Sequence, residues 1–157
     1  SNTVEIGNQS VTWIGGQVGW STYSDERIKD NIKSNVPGLD FILRLNPVTY
    51  QLNIHRQNEI SRLKDTVSWK GKYDIEKITQ TGFIAQEVEK AAKEINYNFS
   101  GVKKKKNEKD LYSLRYNEFV VPLVKAVQEQ QKAIQVLEKE NAGLKQRLEK
   151  LEALILK

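Results

Sequence analysis

A heptad repeat occupies the C-terminal part of the chain. Apolar side chains recur in alternating steps of four and three residues, the spacing that keeps one stripe facing a partner helix over many turns. The a positions are Val127, Ile134, Asn141, Leu148 and Ile155, and the d positions are Leu123, Gln130, Leu137, Leu144 and Leu151. The sequence therefore predicts a coiled-coil helix over residues 122–157, in preference to an amphipathic helix packed only on its own domain.

Charges beside the repeat indicate how the helices associate. In a parallel arrangement Glu140 faces Lys145 of a neighbour and Arg147 faces Glu152, and both pairs attract. The buried Asn141 is a known device for fixing register. We predict parallel self-association, although the mixture of a and d residues does not decide between two and three strands.

A zipper that follows basic residues also fits a DNA-binding helix that forks into the major groove. Pro122 and the apolar segment 116–121, which carries no Lys or Arg, argue against that interpretation. The net charge of +5 is spread along the chain. Its only block, Lys103–Lys106, lies beside Gly101 and Asn107 and is expected to be a solvated loop. We expect no nucleic-acid partner.

Composition excludes several classes of site among the 157 residues. The chain has no Cys, which removes disulfide scaffolds, thiolate zinc sites and cysteine nucleophiles. Its one His, His55, lies in a polar stretch, and we expect no metal site and no cofactor. Apolar runs are far shorter than the ~20 residues of a spanning helix, so no membrane insertion is expected. Residues 1–9 lack the features of a secretory signal, and we interpret the sequence as a piece of a longer chain.

The first 23 residues have the composition of strands and turns. They contain three Trp or Tyr and four Gly, with alternating apolar residues at 4–6 and 11–14. So short a β segment cannot bury a core alone. It would need chain upstream or other copies of itself.

Residues 24–121 predict a mixed, mainly helical core. A helix is expected to start at Ser24, and a second, short helix to cover Leu39 to Leu43, followed by a strand over residues 48–53. The polar residues 54–80 predict a variable excursion with a hairpin. After Gly82 a helix buries one face, formed by Val88, Ala91, Ala92 and Ile95. The predicted fold class is mainly α with small β elements.

The chemistry-bearing candidates are few. No phosphate-binding loop, metal-type His spacing or Ser/His/Asp order is present. Ser24 with Lys29 or Lys33 remains, because a neutral lysine can take the proton of a serine hydroxyl. By spacing alone, Ser24 is far better explained as a helix N-cap.

Several sequence motifs, found in a fixed order along the chain, favour the catalytic interpretation of Ser24 over the N-cap interpretation. They read WSTYSDERIKDNI at 20–32, LDFILRLNPVTY at 39–50, TGFIAQEV at 81–88, YSLRYNEF at 112–119 and PLVKAVQE at 122–129. Together, over residues 20–137, they resemble the intramolecular chaperone domain of endosialidase tailspikes, the peptidase S74 family. The insertion at 54–80 matches no fixed pattern of that family.

The resemblance implies a homotrimeric C-terminal domain that helps an upstream β-structured fibre of the same chain to fold. It implies that the domain then releases itself by cutting before the Ser of its Ser-Asp motif, here between Tyr23 and Ser24. A related self-cleaving domain implies Ser24 and Lys29 as the catalytic dyad, with Asp25 as the second residue of the motif. Residues 1–23 would be the end of the passenger, residues 24–121 the chaperone and protease core, and residues 122–157 the trimerisation helix. The setting would be a virion tail or a bacterial surface.

Two points stay open from the sequence. Gln86 is a candidate donor to the oxyanion, and a capping or core hydrogen-bonding role explains it equally well. A structural trimer cap that shares the fold and never cuts is the alternative to a self-cleaving chaperone.

Overall fold

A computed structural model describes residue 4 and residues 6–155 of the chain. The described part is mainly helical with small β elements, as the sequence predicts, and the strands form two antiparallel pairs. The helices are α1 (Leu39–Ile42), α2 (Ile54–Ser61), α3 (Ala85–Glu94) and α4 (Val120–Ile155), and the strands are β1 (Val48–Tyr50), β2 (Gln80–Gly82), β3 (Val102–Lys103) and β4 (Ser113–Leu114). Three 3-10 turns cover Glu26–Ile28, Asp74–Lys77 and Tyr116–Phe119.

The two strand pairs are short and separate. β1 pairs with β2, so that Val48 lies opposite Gly82, and β3 pairs with β4, so that Val102 lies opposite Leu114. Gly82 allows a close approach, because a Cβ there would lie 2.1 Å from the Tyr116 hydroxyl. That hydroxyl accepts a hydrogen bond of 3.1 Å from the backbone N–H of Phe83. The first pair is thereby joined to the turn that leads into α4.

The core is an aromatic cluster closed by one face of α3. Phe41 and Phe99 lie 4.9 Å apart between ring centroids, and Phe99 and Phe119 also 4.9 Å apart, edge to face. Tilted and edge-to-face pairs at such distances suit the aromatic quadrupole. The remaining buried members of the cluster are Val88, Ala91 and Ala92. The predicted apolar face of α3 is confirmed, with Ile95 partly buried beside it.

Helix α4 is fixed to the core through α1. Pro122 and Ala126 are the buried residues of α4. A Cβ on Gly38 would lie 2.7 Å from the Ala126 backbone nitrogen, so only glycine allows this approach. The Glu129 carboxylate accepts a hydrogen bond of 2.8 Å from the Leu39 N–H at the start of α1. Pro122 fits because it stands in the first turn of α4, where a missing N–H costs no helical bond.

Two local predictions in the core are wrong. The helix expected from Ser24 is only the 3-10 turn Glu26–Ile28, none of whose residues is buried. Ile28 and Ile32 are exposed, and an isolated short helix without packing is marginal in water. The excursion at 54–80 contains α2 and the 3-10 turn Asp74–Lys77 in place of a hairpin. Ile54 and Ile75 are its buried residues, and the Ile54 N–H donates a hydrogen bond of 2.6 Å to the Glu76 carboxylate, a contact that local periodicity does not indicate.

The N-terminal strands are also not formed in the part of residues 1–23 that the structure describes. The expected strand at 4–6 includes Glu5, which lies outside the described residues. Residues 11–14 have no strand partner among the described residues, and their Trp13 and Ile14 are exposed. A strand needs a neighbour to satisfy its backbone groups, and the sequence predicts that this segment needs chain upstream or other copies of itself.

Glu89 of α3 fastens the β3–β4 hairpin. Its carboxylate lies 2.8 Å from the Lys104 ammonium and 2.6 Å from that of Lys93, and it accepts a hydrogen bond of 3.0 Å from the Tyr112 hydroxyl. These partners, Lys104 foremost, lower the pKa of Glu89 from 4.5 to about 2. Lys104, which the sequence placed in a solvated loop, thus forms an ion pair with Glu89 of α3.

We expect Glu89→Gln to reduce the free energy of unfolding by about 1–2 kcal/mol at neutral pH, through loss of charge-assisted bonds. Because the folded-state pKa is lowered, this stabilisation is present above pH 4.5 and is lost as pH falls towards 2. Urea unfolding between pH 7 and 2.5 measures it. The wild-type curve should fall more steeply in that window than the variant's, and Glu87→Gln on the same helix is the control. Parallel wild-type and Glu89→Gln curves would contradict the assignment.

Candidate functional site

The structure brings Ser24 and Lys29 together. The 3-10 turn Glu26–Ile28 lies between them, and it ends with the Lys29 N–H donating to the Glu26 carbonyl at 3.0 Å. Lys29 is itself extended, with φ −118° and ψ 121°. Its side chain returns to the start of the turn, where the ammonium donates a hydrogen bond of 2.6 Å to the Ser24 hydroxyl. Nucleophile and candidate base are therefore at contact distance.

Asp25 holds the turn from its first position. Its carboxylate accepts a hydrogen bond of 2.9 Å from the Arg27 N–H and forms an ion pair of 2.6 Å with the Arg27 guanidinium. The Arg27 side chain keeps the pKa of Asp25 below its ordinary value. Asp25, and not Ser24, is the N-cap of this turn. The Ser24 hydroxyl is thereby available to Lys29.

Gln86 lies elsewhere in the single chain. It is in the first turn of α3, exposed, and it lines an open groove of about 380 Å³ with Tyr50, Phe83 and Tyr116. It is neither the N-cap of α3, which is Ile84, nor a core residue. No hydrogen bond among the described residues joins Gln86 to Ser24 or Lys29. Sequence reasoning missed this groove, where burial and the neighbouring Tyr116 raise the pKa of Tyr50.

The Ser24–Lys29 pair is open to solvent. Every residue from 20 to 35 is exposed, and the Tyr23 side chain is 94% exposed. A lysine acts as a base only in its neutral form, which burial favours. The single chain supplies the contact between the two groups but not the low-dielectric surroundings.

The second functional feature is the apolar stripe of α4. Pro122 and Ala126 face the chain's own domain, whereas the apolar a and d residues from Leu123 to Ile155 are exposed. Their exposed fractions run from 41% at Ile134 to 81% at Ile155. We call these a and d residues the seam. A contiguous apolar stripe of this length marks a surface for association.

One comparison with known families bears on these features. Residues 24–97 match the family described as chaperone of endosialidase, Peptidase S74. The resemblance seen in the sequence is confirmed over this segment, which begins at Ser24 and contains Lys29, Gln86 and α1 to α3. The seam lies beyond the match. The chain matches no curated protein and no solved structure.

Within the described residues, no helix combines the length and apolar character needed to span a membrane.

Proposed function

We propose that the chain is a C-terminal intramolecular chaperone that associates through the seam as a parallel trimer and then cleaves itself before Ser24. The observation that carries the proposal is the 2.6 Å contact between the Lys29 ammonium and the Ser24 hydroxyl. It is supported by the family match, which starts at the residue that would become the new N-terminus.

The chemistry follows from the position of the hydroxyl on the residue after the scissile bond. The Ser24 Oγ attacks the carbonyl carbon of Tyr23 and gives its proton to neutral Lys29 Nζ. The bond from that carbon to the Ser24 nitrogen breaks, and Lys29 returns the proton to the leaving nitrogen. The product is an ester between Tyr23 and the Ser24 side chain, which one water hydrolyses to a carboxylate and the free hydroxyl.

The supporting groups have separate roles in this proposal. Asp25 is a positioning residue, because it caps the turn that returns Lys29 to Ser24. Gln86 stays the candidate oxyanion donor, and its exposed amide would have to be brought to Tyr23 by assembly. Lys29 must lose its proton, and neighbouring copies would bury it for that purpose.

The partners proposed are two further copies of this chain and the β-structured fibre upstream of Ser24. The family description names endosialidase as the protein assisted, so a related fibre of a phage tail or a bacterial surface is the proposed setting. Residues 8–10 lie beside residues of the 54–72 excursion in a shared groove, which suits contact between passenger end and chaperone.

A structural trimer cap that never cuts is the second candidate, favoured by the exposure of the dyad in the single chain. Intact mass under denaturing conditions separates the two. One species of 18.1 kDa means no cleavage, whereas loss of a 23-residue piece means cleavage before Ser24.

We expect Ser24→Ala to abolish cutting and leave self-association unchanged. The variant removes the nucleophile, while the turn keeps its Asp25 cap and the seam is untouched. Intact mass and light scattering measure the two properties, with Ser21→Ala as the control that should cut normally. Cutting at the same bond in Ser24→Ala would exclude Ser24 as nucleophile.

Lys29→Arg should lower the rate of cutting by about 100-fold or more, because a guanidinium stays protonated at any working pH and cannot take the Ser24 proton. Lys33→Arg is the matched control, since Lys33 is equally exposed and contributes no hydrogen bond to Ser24. The measurement is cleaved fraction against time. A wild-type rate in Lys29→Arg would remove this lysine as base and point to Lys33 or water.

Deletion of residues 134–157 should lower both the trimer population and the cutting rate, and make the rate depend on protein concentration. The deletion removes most of the seam, while Gly38 and Leu39 at the start of α1 keep their contacts with Ala126 and Glu129. Cleaved fraction is followed at several concentrations beside mass by light scattering. Fast cutting that is independent of concentration in a confirmed monomer would refute the coupling between assembly and chemistry.

A further inference from the structure

The first two turns of α4 carry exposed apolar side chains outside the a and d positions that form the seam. Continuing the heptads backwards places Val120 at a, Val121 at b and Val124 at e. Val121 is 59% exposed and Val124 51% exposed. Neither b nor e belongs to an a/d stripe, so these valines present apolar area on one flank of the helix.

The two flanks of α4 differ in what covers them. Ala126 at g and Glu129 at c face α1 of the same chain. On the other flank, Val121 and Val124 line an open groove of about 250 Å³ together with Ser34, Val36, Lys125 and Gln128. One flank carries α1, and the other carries an unfilled groove.

Parallel coiled coils bring these two flanks together. The g position of each helix lies beside the e position of the next, and the charges of Glu140, Lys145, Arg147 and Glu152 favour this parallel sense. Because α1 lies on the g flank, it faces the neighbour's e flank at the level of the groove. The groove is thus continuous with the proposed seam, and its occupant is a second copy of this chain.

Leu43 is the apolar side chain that α1 leaves outside. It follows Ile42 at the C-terminal end of α1 and is 77% exposed, whereas Phe41 is fully buried in the core. We propose that Leu43 of each copy packs into the groove formed by Val36, Val121 and Val124 of the next copy. The inference rests on the proposed parallel self-association and adds a contact between the chaperone domains outside the coiled coil.

This contact would also act on the cleavage site. Val36 is seven residues after Lys29, and residues 29–35 between them are exposed and belong to no helix or strand. A neighbour seated against Ser34 and Val36 would therefore fix the segment that leads from the dyad to α1. Assembly would order the dyad from its C-terminal side.

The absence of Cys allows a direct test by crosslinking. Full-length chains carrying Leu43→Cys and Val124→Cys, the second with a tag of different mass, are unfolded together, refolded and oxidised. Disulfides form only where Cα atoms come within about 7 Å. We expect a mixed disulfide whose mass is the sum of the two chains, each counted with or without residues 1–23 according to whether it has cut, and no comparable product from either variant alone. Because the thiols are on different chains, an intramolecular bond cannot produce it.

Two controls separate this proposal from the function on which it rests. Leu144→Cys alone should crosslink with itself, because identical d positions meet in a parallel coil. A Leu63→Cys chain mixed with Val124→Cys measures the background of disulfides formed by random collision. Leu63 is exposed, but it lies in the 54–80 excursion and takes no part in the proposed contact. Crosslinking at 144 with only the Leu63 background between 43 and 124 would overturn the lateral contact and leave the trimer standing. Failure at both places would overturn self-association together with the contact.

Discussion

The architecture depends on helix α4, one side of which packs against the chain's own core while the other side exposes the seam. On one side, Gly38 and Leu39 fix the start of α1 against Ala126 and Glu129, which ties the aromatic core to the helix. On the other side the seam is exposed, and burial of an apolar side chain of this size is worth about 1.5–3 kcal/mol. The small core therefore packs on one side of a helix whose main apolar surface is exposed in the part of the chain that the structure describes. Covering this surface by association would therefore stabilise the fold further.

The candidate site exists because the chain after Ser24 does not continue as a helix. In a continuous α-helix, residues five apart face directions about 140° apart, and their side chains diverge. A single 3-10 turn followed by the extended Lys29 reverses that geometry and gives the 2.6 Å contact. Asp25 makes this possible by satisfying the Arg27 N–H, so that the Ser24 hydroxyl is not used as a cap. The incorrect prediction of a helix and the contact between Ser24 and Lys29 have the same cause.

The parts that the sequence could predict are those whose signal is periodic. The heptads of α4, and the face of α3 formed by Val88, Ala91 and Ala92, could be predicted because apolar residues repeat with the period of a helix. The excursion could not be predicted in this way, since its fixed points include the hydrogen bond from the Ile54 N–H to the Glu76 carboxylate, 22 residues further along the chain. Pairing of Ser24 with Lys29 came from family resemblance, because spacing alone favoured an N-cap. The contact of Glu89 with Lys104 and Tyr112 had no local signal either.

The Ser24–Lys29 pair and the seam are both exposed to water in the single chain, and burial by neighbouring copies would change both. Catalysis by an amine base needs desolvation, and the single chain leaves residues 20–35 in water. The same chain leaves its valines and leucines along α4 in water, and these are the surfaces that copies of the chain can cover. If one assembly step buries both, the desolvation that the proposed base Lys29 needs is supplied only in the assembled state. A chaperone that depends on staying attached until its passenger has folded would then need no separate timing device, because incomplete assembly leaves the Ser24–Lys29 pair exposed to water.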